Sequence, residues 1–315
     1  MSVCLELSNV HKTYRVHRGV LGKSAAVPAV TGVDLTVAHG ETVGLVGESG
    51  CGKSTLARLA VGLLPPTAGH IFLEGQDLWK DQTLPERLPE IAQMIFQDPF
   101  SSLDPRMTIE QSVGEGLLAR HIGGKRFRRT RVLKLLDMVG LSASHASRYP
   151  HQLSGGQRQR AAIARALALS PRLIVCDEPV SALDVSIQAQ VLNILGDLKT
   201  RFGLAYLFIS HDLAVVSHLS DRVAVMYAGQ LMELAPAGAL YAAPRHPYTR
   251  MLLAAMLTPA PGRRAAPRRE HARPDQAREG GCPLLPRCLE ADATCAGAPP
   301  WREISPGHFT RCHHS

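Results

Sequence analysis

Thr42-Val43-Gly44-Leu45-Val46-Gly47-Glu48-Ser49-Gly50-Cys51-Gly52-Lys53-Ser54-Thr55 is the stretch that decides the fold class of this chain. Its first five residues form a short apolar run that ends in a glycine-rich turn, the pattern of a buried strand, and Ser54 to Leu64 follows with helical composition. Strand, turn and helix in that order make one supersecondary unit. Residues 47–54 fit G-x-x-x-x-G-K-[ST] in the context that motif requires. Glycines let successive backbone N–H groups turn toward one point, and the helix N-terminus adds positive partial charge, so a triphosphate finds donors already oriented. Lys53 is expected at the β- and γ-phosphates and Ser54 on Mg²⁺, with Gly47, Glu48, Ser49, Gly50, Cys51, Gly52 and Thr55 completing the cradle.

Alone, the motif predicts only a P-loop NTPase. Leu173-Ile174-Val175-Cys176-Asp177-Glu178 supplies the expected second half, an apolar strand that ends in two carboxylates. The first can hold Mg²⁺ and the second can polarise an attacking water. Arg172–Cys176 and Ala205–Ile209 read as further buried strands, alternating with helices over 157–169 and 187–201, which implies a parallel sheet. Alternation in Leu5-Glu6-Leu7 and in Val33-Asp34-Leu35-Thr36-Val37 predicts half-buried antiparallel strands near the start. Between the phosphate-loop unit and the Arg172–Cys176 strand, about 99–155 reads as an inserted helical subdomain, with Val132, Leu135, Leu136 and Val139 at helical spacing. The expectation is an α/β fold with a mixed sheet core, one nucleotide-binding domain over 1–258, then a linker and a small Cys-rich extension over 259–315.

With 315 residues, 45% apolar and 20% charged, the chain can bury a sizeable core and is not composed like a disordered segment. A formal charge of +8 would suggest nucleic acid or an anionic membrane if it formed one patch. It falls in two runs, Lys125, Arg126, Arg128, Arg129 and Arg131, then Arg263, Arg264, Arg268, Arg269, Arg273 and Arg278. A solvated helix face and a charged linker are the plain readings, and attraction to a negative cytoplasmic leaflet is the sharper one. No stretch reaches the roughly 18 to 20 apolar residues that span a bilayer. Met1-Ser2-Val3-Cys4-Leu5-Glu6 lacks the regions of a signal peptide, so a cytosolic protein is expected. Cys4, Cys51 and Cys176 then read as small apolar fillers.

Leu153-Ser154-Gly155-Gly156-Gln157 resembles the signature of ABC ATPases, and Gln157-Arg158-Gln159-Arg160 continues it in kind. A serine and two glycines before a helix make a second phosphate cradle, too far along the chain to serve the same nucleotide without a partner. Other parts of such a cassette follow in order: Tyr14 where an aromatic stacks on adenine, Gln97 of Phe96-Gln97-Asp98-Pro99, Ser181-Ala182-Leu183-Asp184, and His211 of Ser210-His211-Asp212. Val185 after Asp184, where most cassettes have proline, and His246-Pro247-Tyr248-Thr249 resemble the oligopeptide/dipeptide/nickel importer group. The resemblance implies an ATPase that pairs with a second ATPase chain, identical or paralogous, at the cytoplasmic face of the cell membrane. It works beneath two permease subunits fed by a solute-binding protein, moving peptides, nickel or a related small solute. It further implies Glu178 as general base, Asp177 and Gln97 near Mg²⁺, His211 as a clamp on the γ-phosphate and Glu178, and Ser154, Gly155, Gly156, Gln157 and Asp184 at the nucleotide of the facing chain. A kinase or GTPase switch lacks the 153–157 signature. ABC ATPases acting on ribosomes or DNA usually carry two cassettes or a long coiled coil, and this chain has one cassette and no extended heptads.

Cys282, Cys288, Cys295 and Cys312 lie in a segment poor in expected regular structure, which leaves either a metal staple or loose reduced thiols. Zinc-finger and ferredoxin spacings are both absent. The segment resembles the C-terminal extension of the peptide-importer ATPases, some of which hold a [4Fe-4S] cluster on four such cysteines.

Overall fold

A computed structural model describes residues 2–17, 24–98, 102–181, 183–256 and 280–315. Pro99, Ala182, the 263–278 basic run and the linker therefore lie outside the described residues. Five strands, β3 (Thr42–Val46), β6 (Ala92–Ile95), β7 (Leu173–Asp177), β8 (Ala205–Ser210) and β9 (Arg222–Tyr227), pair in parallel in the order β9-β3-β8-β7-β6. The runs of β3, β7 and β8 are buried on both faces, as the inner strands of a parallel sheet require. Alternate residues divide between two cores. Leu173, Val175, Leu207 and Ile209 pack with Leu56 and Leu59 of α1 (Lys53–Ala60) and with the antiparallel sheet. Ile174, Cys176, Tyr206 and Phe208 face the core shared with the helical subdomain.

The antiparallel sheet has the order β2-β1-β4-β5, from β1 (Val3–His17), β2 (Ser24–Ala38), β4 (Ala68–Leu73) and β5 (Gln76–Asp77). Register pairs Leu5 with Val37 and Leu7 with Leu35, so the period-two apolar residues share one buried face. The short helix α2 (Leu84–Ile91) leads into β6. The inserted helices are α3 (Ile109–Ala119), started by a Thr108–Gln111 capping box, and α4 (Lys125–Met138). Val132, Leu135 and Leu136 bury one stripe of α4 while Lys125, Arg126 and Arg129 stay exposed. The chain then enters α5 (Gly155–Ala166), and α6 (Val185–Phe202) follows β7. Helix α7 (Leu213–Leu219) follows β8, and α8 (Ala237–Ala242) and α9 (Pro247–Met256) follow β10 (Gln230–Pro236).

The Cys-rich extension is not the structureless tail its composition suggests. β11 (Trp301–Ser305) and β12 (His308–Arg311) continue the central sheet beyond β10, giving the order β11-β12-β10-β9. Glu233 pairs with Thr310 and Leu234 with Phe309, while Trp301 stacks on Phe309 with ring centroids 5.8 Å apart. The buried Glu233 carboxylate joins the two parts: it accepts the backbone N–H groups of Arg245 and His246 at 2.8 and 3.0 Å and lies 2.7 Å from the His308 ring. A buried carboxylate left without such donors would be strongly unfavourable, so this network fixes the extension's register.

Candidate nucleotide site

Residues 47–52 form a tight turn between β3 and α1, and Lys53, Ser54 and Thr55 open the helix. Gly52 has φ +110°, and a Cβ there would meet the Ala29 carbonyl oxygen at 2.2 Å, so no other residue fits. The Lys53 ammonium is buried and donates to the carbonyls of Gly47 and Glu48 at 2.7 and 2.9 Å, which suspends it over the turn. Ser49 and Gly50 stand exposed at the tip, Cys51 is buried beneath, and Thr55 is half-buried in the first turn of α1. The Ala29 contact sets β2 against the turn, and Tyr14, half-buried on β1, pairs with Val27 two residues away.

From the neighbouring strands, four predicted residues reach one place. The Ser54 hydroxyl donates to Asp177 Oδ1 at 3.0 Å. Burial raises the Asp177 carboxyl above its usual range, and the Ser54 hydrogen bond opposes that shift. The next residue, Glu178, has φ +48°, a left-handed conformation that non-glycine residues seldom adopt. This bend turns its side chain off the strand, where Gln97 Nε2 donates to Oε2 at 3.1 Å and His211 Nδ1 lies 3.1 Å from the same oxygen. Both partners are exposed, whereas the Glu178 side chain is only 12% accessible. Two donors on one carboxylate oxygen leave the other free to take a water, the arrangement a water-orienting carboxylate needs. The Ser54–Asp177 pair offers hard oxygen ligands beside an ammonium, a donor set that suits Mg²⁺ on a polyphosphate.

The signature residues stand apart from this cluster. Ser154 caps α5: its hydroxyl accepts from the Gln157 N–H at 3.3 Å, and Gln157 Oε1 accepts from the Ser154 N–H at 3.1 Å. Neither contact reaches the phosphate turn. Gly155 is half-buried and Gly156 buried, and a Cβ on Gly156 would lie 2.6 Å from Cγ2 of Ile187 on α6. Gly156 thus answers a packing demand inside its own chain, a role its motif does not reveal. Asp184 is exposed and precedes α6, where its carbonyl accepts from the Ile187 and Gln188 N–H groups at 2.9 and 2.8 Å.

Sequence reasoning placed Glu48 in the cradle only as a motif position, and did not link it to Tyr248 or Arg287. The Glu48 N–H donates to the Tyr248 hydroxyl at 3.1 Å, and its carboxylate receives both terminal nitrogens of Arg287 at 2.8 Å each. Tyr248 belongs to the His246–Thr249 stretch and Arg287 to the extension; only the first carried a signal.

Residues 30–181 match the ABC transporter family, and residues 232–295 match the oligopeptide/dipeptide transporter C-terminal region. The oligopeptide transport ATP-binding protein AppF of Bacillus subtilis is 46% identical over 323 residues, covering 98% of this chain and 96% of that protein. A protein named as a probable peptide ABC transporter ATP-binding protein, y4tS of Sinorhizobium fredii, is 47% identical and covers 98% and 89%. Among solved structures, a dimeric post-hydrolysis state of the cassette MJ0796 bound to ADP and phosphate superposes with a TM-score of 0.66 at 30% identity, over 74% of this chain and 98% of that one. The cassette cbiO1 of Clostridium perfringens gives 0.67 at 25% identity, over 77% and 92%. The chain belongs to the ABC transporter family, as an ATP-binding and ATP-hydrolysing protein of its oligopeptide/dipeptide group.

Proposed function

We propose that this ATPase drives uptake of oligopeptides or dipeptides, working as a pair of cassettes beneath a membrane permease at the cytoplasmic face. The cargo reading rests on relatives named for peptide import and on the match of residues 232–295. Each ATP would lie between Lys53 and Ser54 of one chain and Ser154, Gly155 and Gly156 of the facing chain, with Tyr14 at the base and Asp184 near the seam. Phosphoryl transfer to water needs an in-line nucleophile and compensation of developing charge, so positioning and electrostatics supply most of the rate. Glu178 orients the water, Gln97 and His211 hold Glu178, and Ser54 and Asp177 would hold Mg²⁺, which supplies charge neutralisation when bound. The observation that carries this reading is the convergence of Gln97 and His211 on one oxygen of Glu178, one residue beyond the Asp177–Ser54 contact.

Support for a permease contact is a cavity of about 230 Å³ beside Gln97, lined by Leu63, Leu88, Met94, Phe96, Ala162 and Arg165. A segment seated there would feel any shift of the Gln97 turn, which couples occupancy to movement. Cys282, Cys288, Cys295 and Cys312 are buried together in the extension, and burial raises the Cys282 and Cys288 thiols. Four thiols gathered in one buried region fit the donor set of a [4Fe-4S] cluster, which they would hold as a structural or redox centre. The test of the ATPase reading is Glu178→Gln, expected to bind MgATP, lower turnover by about 10² to 10⁴-fold and accumulate a dimer in size-exclusion chromatography. Ser154→Arg is expected to spare ATP binding and abolish that dimer. Wild-type turnover in either variant refutes the assignment.

A further inference from the structure

The phosphate turn is gripped from outside its own strand-turn-helix unit, and every polar group of one residue is taken up. The Glu48 N–H donates to Tyr248, its carbonyl accepts from Lys53, and its carboxylate is clasped in two parallel bonds by Arg287. The two outside partners are themselves braced. Tyr248 is fully buried, its ring centroid 4.7 Å from that of Tyr227, and the Arg287 guanidinium sits 5.6 Å from the Tyr227 ring centroid. His246 Nδ1 accepts the Tyr248 N–H at 3.1 Å, and the buried Glu233 ties that turn to β12. The Arg287 N–H donates to the Leu284 carbonyl at 2.8 Å, closing the turn that presents its side chain.

We propose that Arg287 of the extension and Tyr248 of the preceding helix are positioning residues for ATP binding, holding Glu48 so that the phosphate turn is preformed. This rests on the reading that residues 47–55 bind the ATP phosphates. Side-chain exposure of 42% for Glu48 and 22% for Arg287 makes the pair a weak contributor to fold stability. Its geometry is nevertheless bidentate and specific, the form in which arginine fixes a carboxylate's orientation. A wobbling Glu48 would move its own carbonyl, and with it the carbonyl seat of the Lys53 ammonium. Nucleotide binding would then have to restore the order that Arg287 and Tyr248 now supply, and affinity would fall while the chemistry at Glu178 continued.

The experiment uses the full-length chain, with ribose-labelled ATP titrations for Kd and MgATP turnover for KM and kcat. Arg287→Ala and Tyr248→Phe are each expected to raise Kd and KM by about 5- to 30-fold, with kcat at saturating ATP within about twofold of wild type. Arg287→Lys keeps the charge without the fork and is expected to fall between. Combined, Arg287→Ala and Tyr248→Phe should cost less than the product of the single effects, because both act through Glu48. Unchanged Kd and KM in both single variants overturns the proposal, and so does a lowered kcat with unchanged KM and a reduced Tm, the mark of a merely structural role. Lys53→Ala is the control for the underlying reading. If that variant binds ATP as wild type, the phosphate-turn assignment itself fails; if it loses ATP while Arg287→Ala does not weaken it, only the present inference fails.

Discussion

Gly156→Ala is the perturbation whose magnitude the packing sets most directly. A Cβ at Gly156 would stand 2.6 Å from Ile187 Cγ2, whereas carbon atoms rest about 3.5 to 4.0 Å apart. Relief requires α5 and α6 to separate or Ile187 to leave its rotamer, at about 1 to 3 kcal/mol. Replacing glycine by alanine in a helix gains at most about 1 kcal/mol. The clash outweighs the gain, and the single variant should be destabilised by roughly 1 to 2 kcal/mol. The next atoms a Cβ would meet, at 3.8 and 3.9 Å, are also Ile187's, so removing that side chain beyond Cβ leaves only ordinary contact. In an Ile187→Ala background the same substitution should therefore change sign, becoming neutral or stabilising by up to about 1 kcal/mol. Urea unfolding of the four proteins gives the coupling directly. An equal cost of Gly156→Ala in both backgrounds would refute the packing argument. MgATP turnover of the same four proteins then separates the two roles of Gly156: turnover that returns with stability assigns the bare glycine to packing, and turnover that stays lost assigns it to the facing chain's nucleotide.

Asp177→Asn is expected to raise Tm by ~2–4 °C for each kcal/mol recovered while abolishing Mg²⁺-dependent turnover. Burial holds the folded carboxyl above its unfolded pKa, so its ionisation costs stability above that pKa; the gain should fade in acid, and a lower Tm at neutral pH would refute it. His246 is 1% exposed and burial lowers its pKa to about 4, so the folded state keeps it neutral while the unfolded chain protonates near 6.5. That stability is complete above about pH 6.5 and lost as pH falls toward 4, amounting to about 2 kcal/mol between pH 7 and 5. His246→Asn, which keeps an acceptor for the Tyr248 N–H, should lose that share of the pH dependence in denaturant titrations, and an unchanged slope would count against it.

Much of the fold was legible because its signals are local. Thr42–Val46, Leu173–Asp177 and Ala205–Ser210 are short apolar runs, and their burial on both faces follows from a parallel sheet covered on either side. The α4 stripe of Val132, Leu135 and Leu136 needed only the helical period. The strands of the extension were not legible. Trp301–Ser305 and His308–Arg311 are five and four residues long, mix charged and apolar side chains, and become strands because β10 offers an unpaired edge. Their anchor is a buried glutamate that composition alone would assign to the surface.

The same division holds at the candidate site. Each of Lys53, Ser54, Gln97, Asp177, Glu178 and His211 sits in a short motif whose chemistry can be read in one window, yet nothing in a window says that Gln97 and His211 meet on the same oxygen. That meeting depends on the backbone of Glu178, whose left-handed φ of +48° follows directly after an extended, buried Asp177. Left-handed backbone at a non-glycine residue costs of order 1 kcal/mol, so the surrounding structure must hold it. The Glu178 N–H donates to the Ile209 carbonyl at 3.0 Å, and the Ser181 hydroxyl donates to the Glu178 carbonyl at 3.1 Å. Two adjacent carboxylates are thereby sent in different directions from one strand end, Asp177 toward Ser54 and Glu178 toward Gln97 and His211. That bend separates the two carboxylates, and the proposed division into a metal-side ligand and a water-side base rests on it.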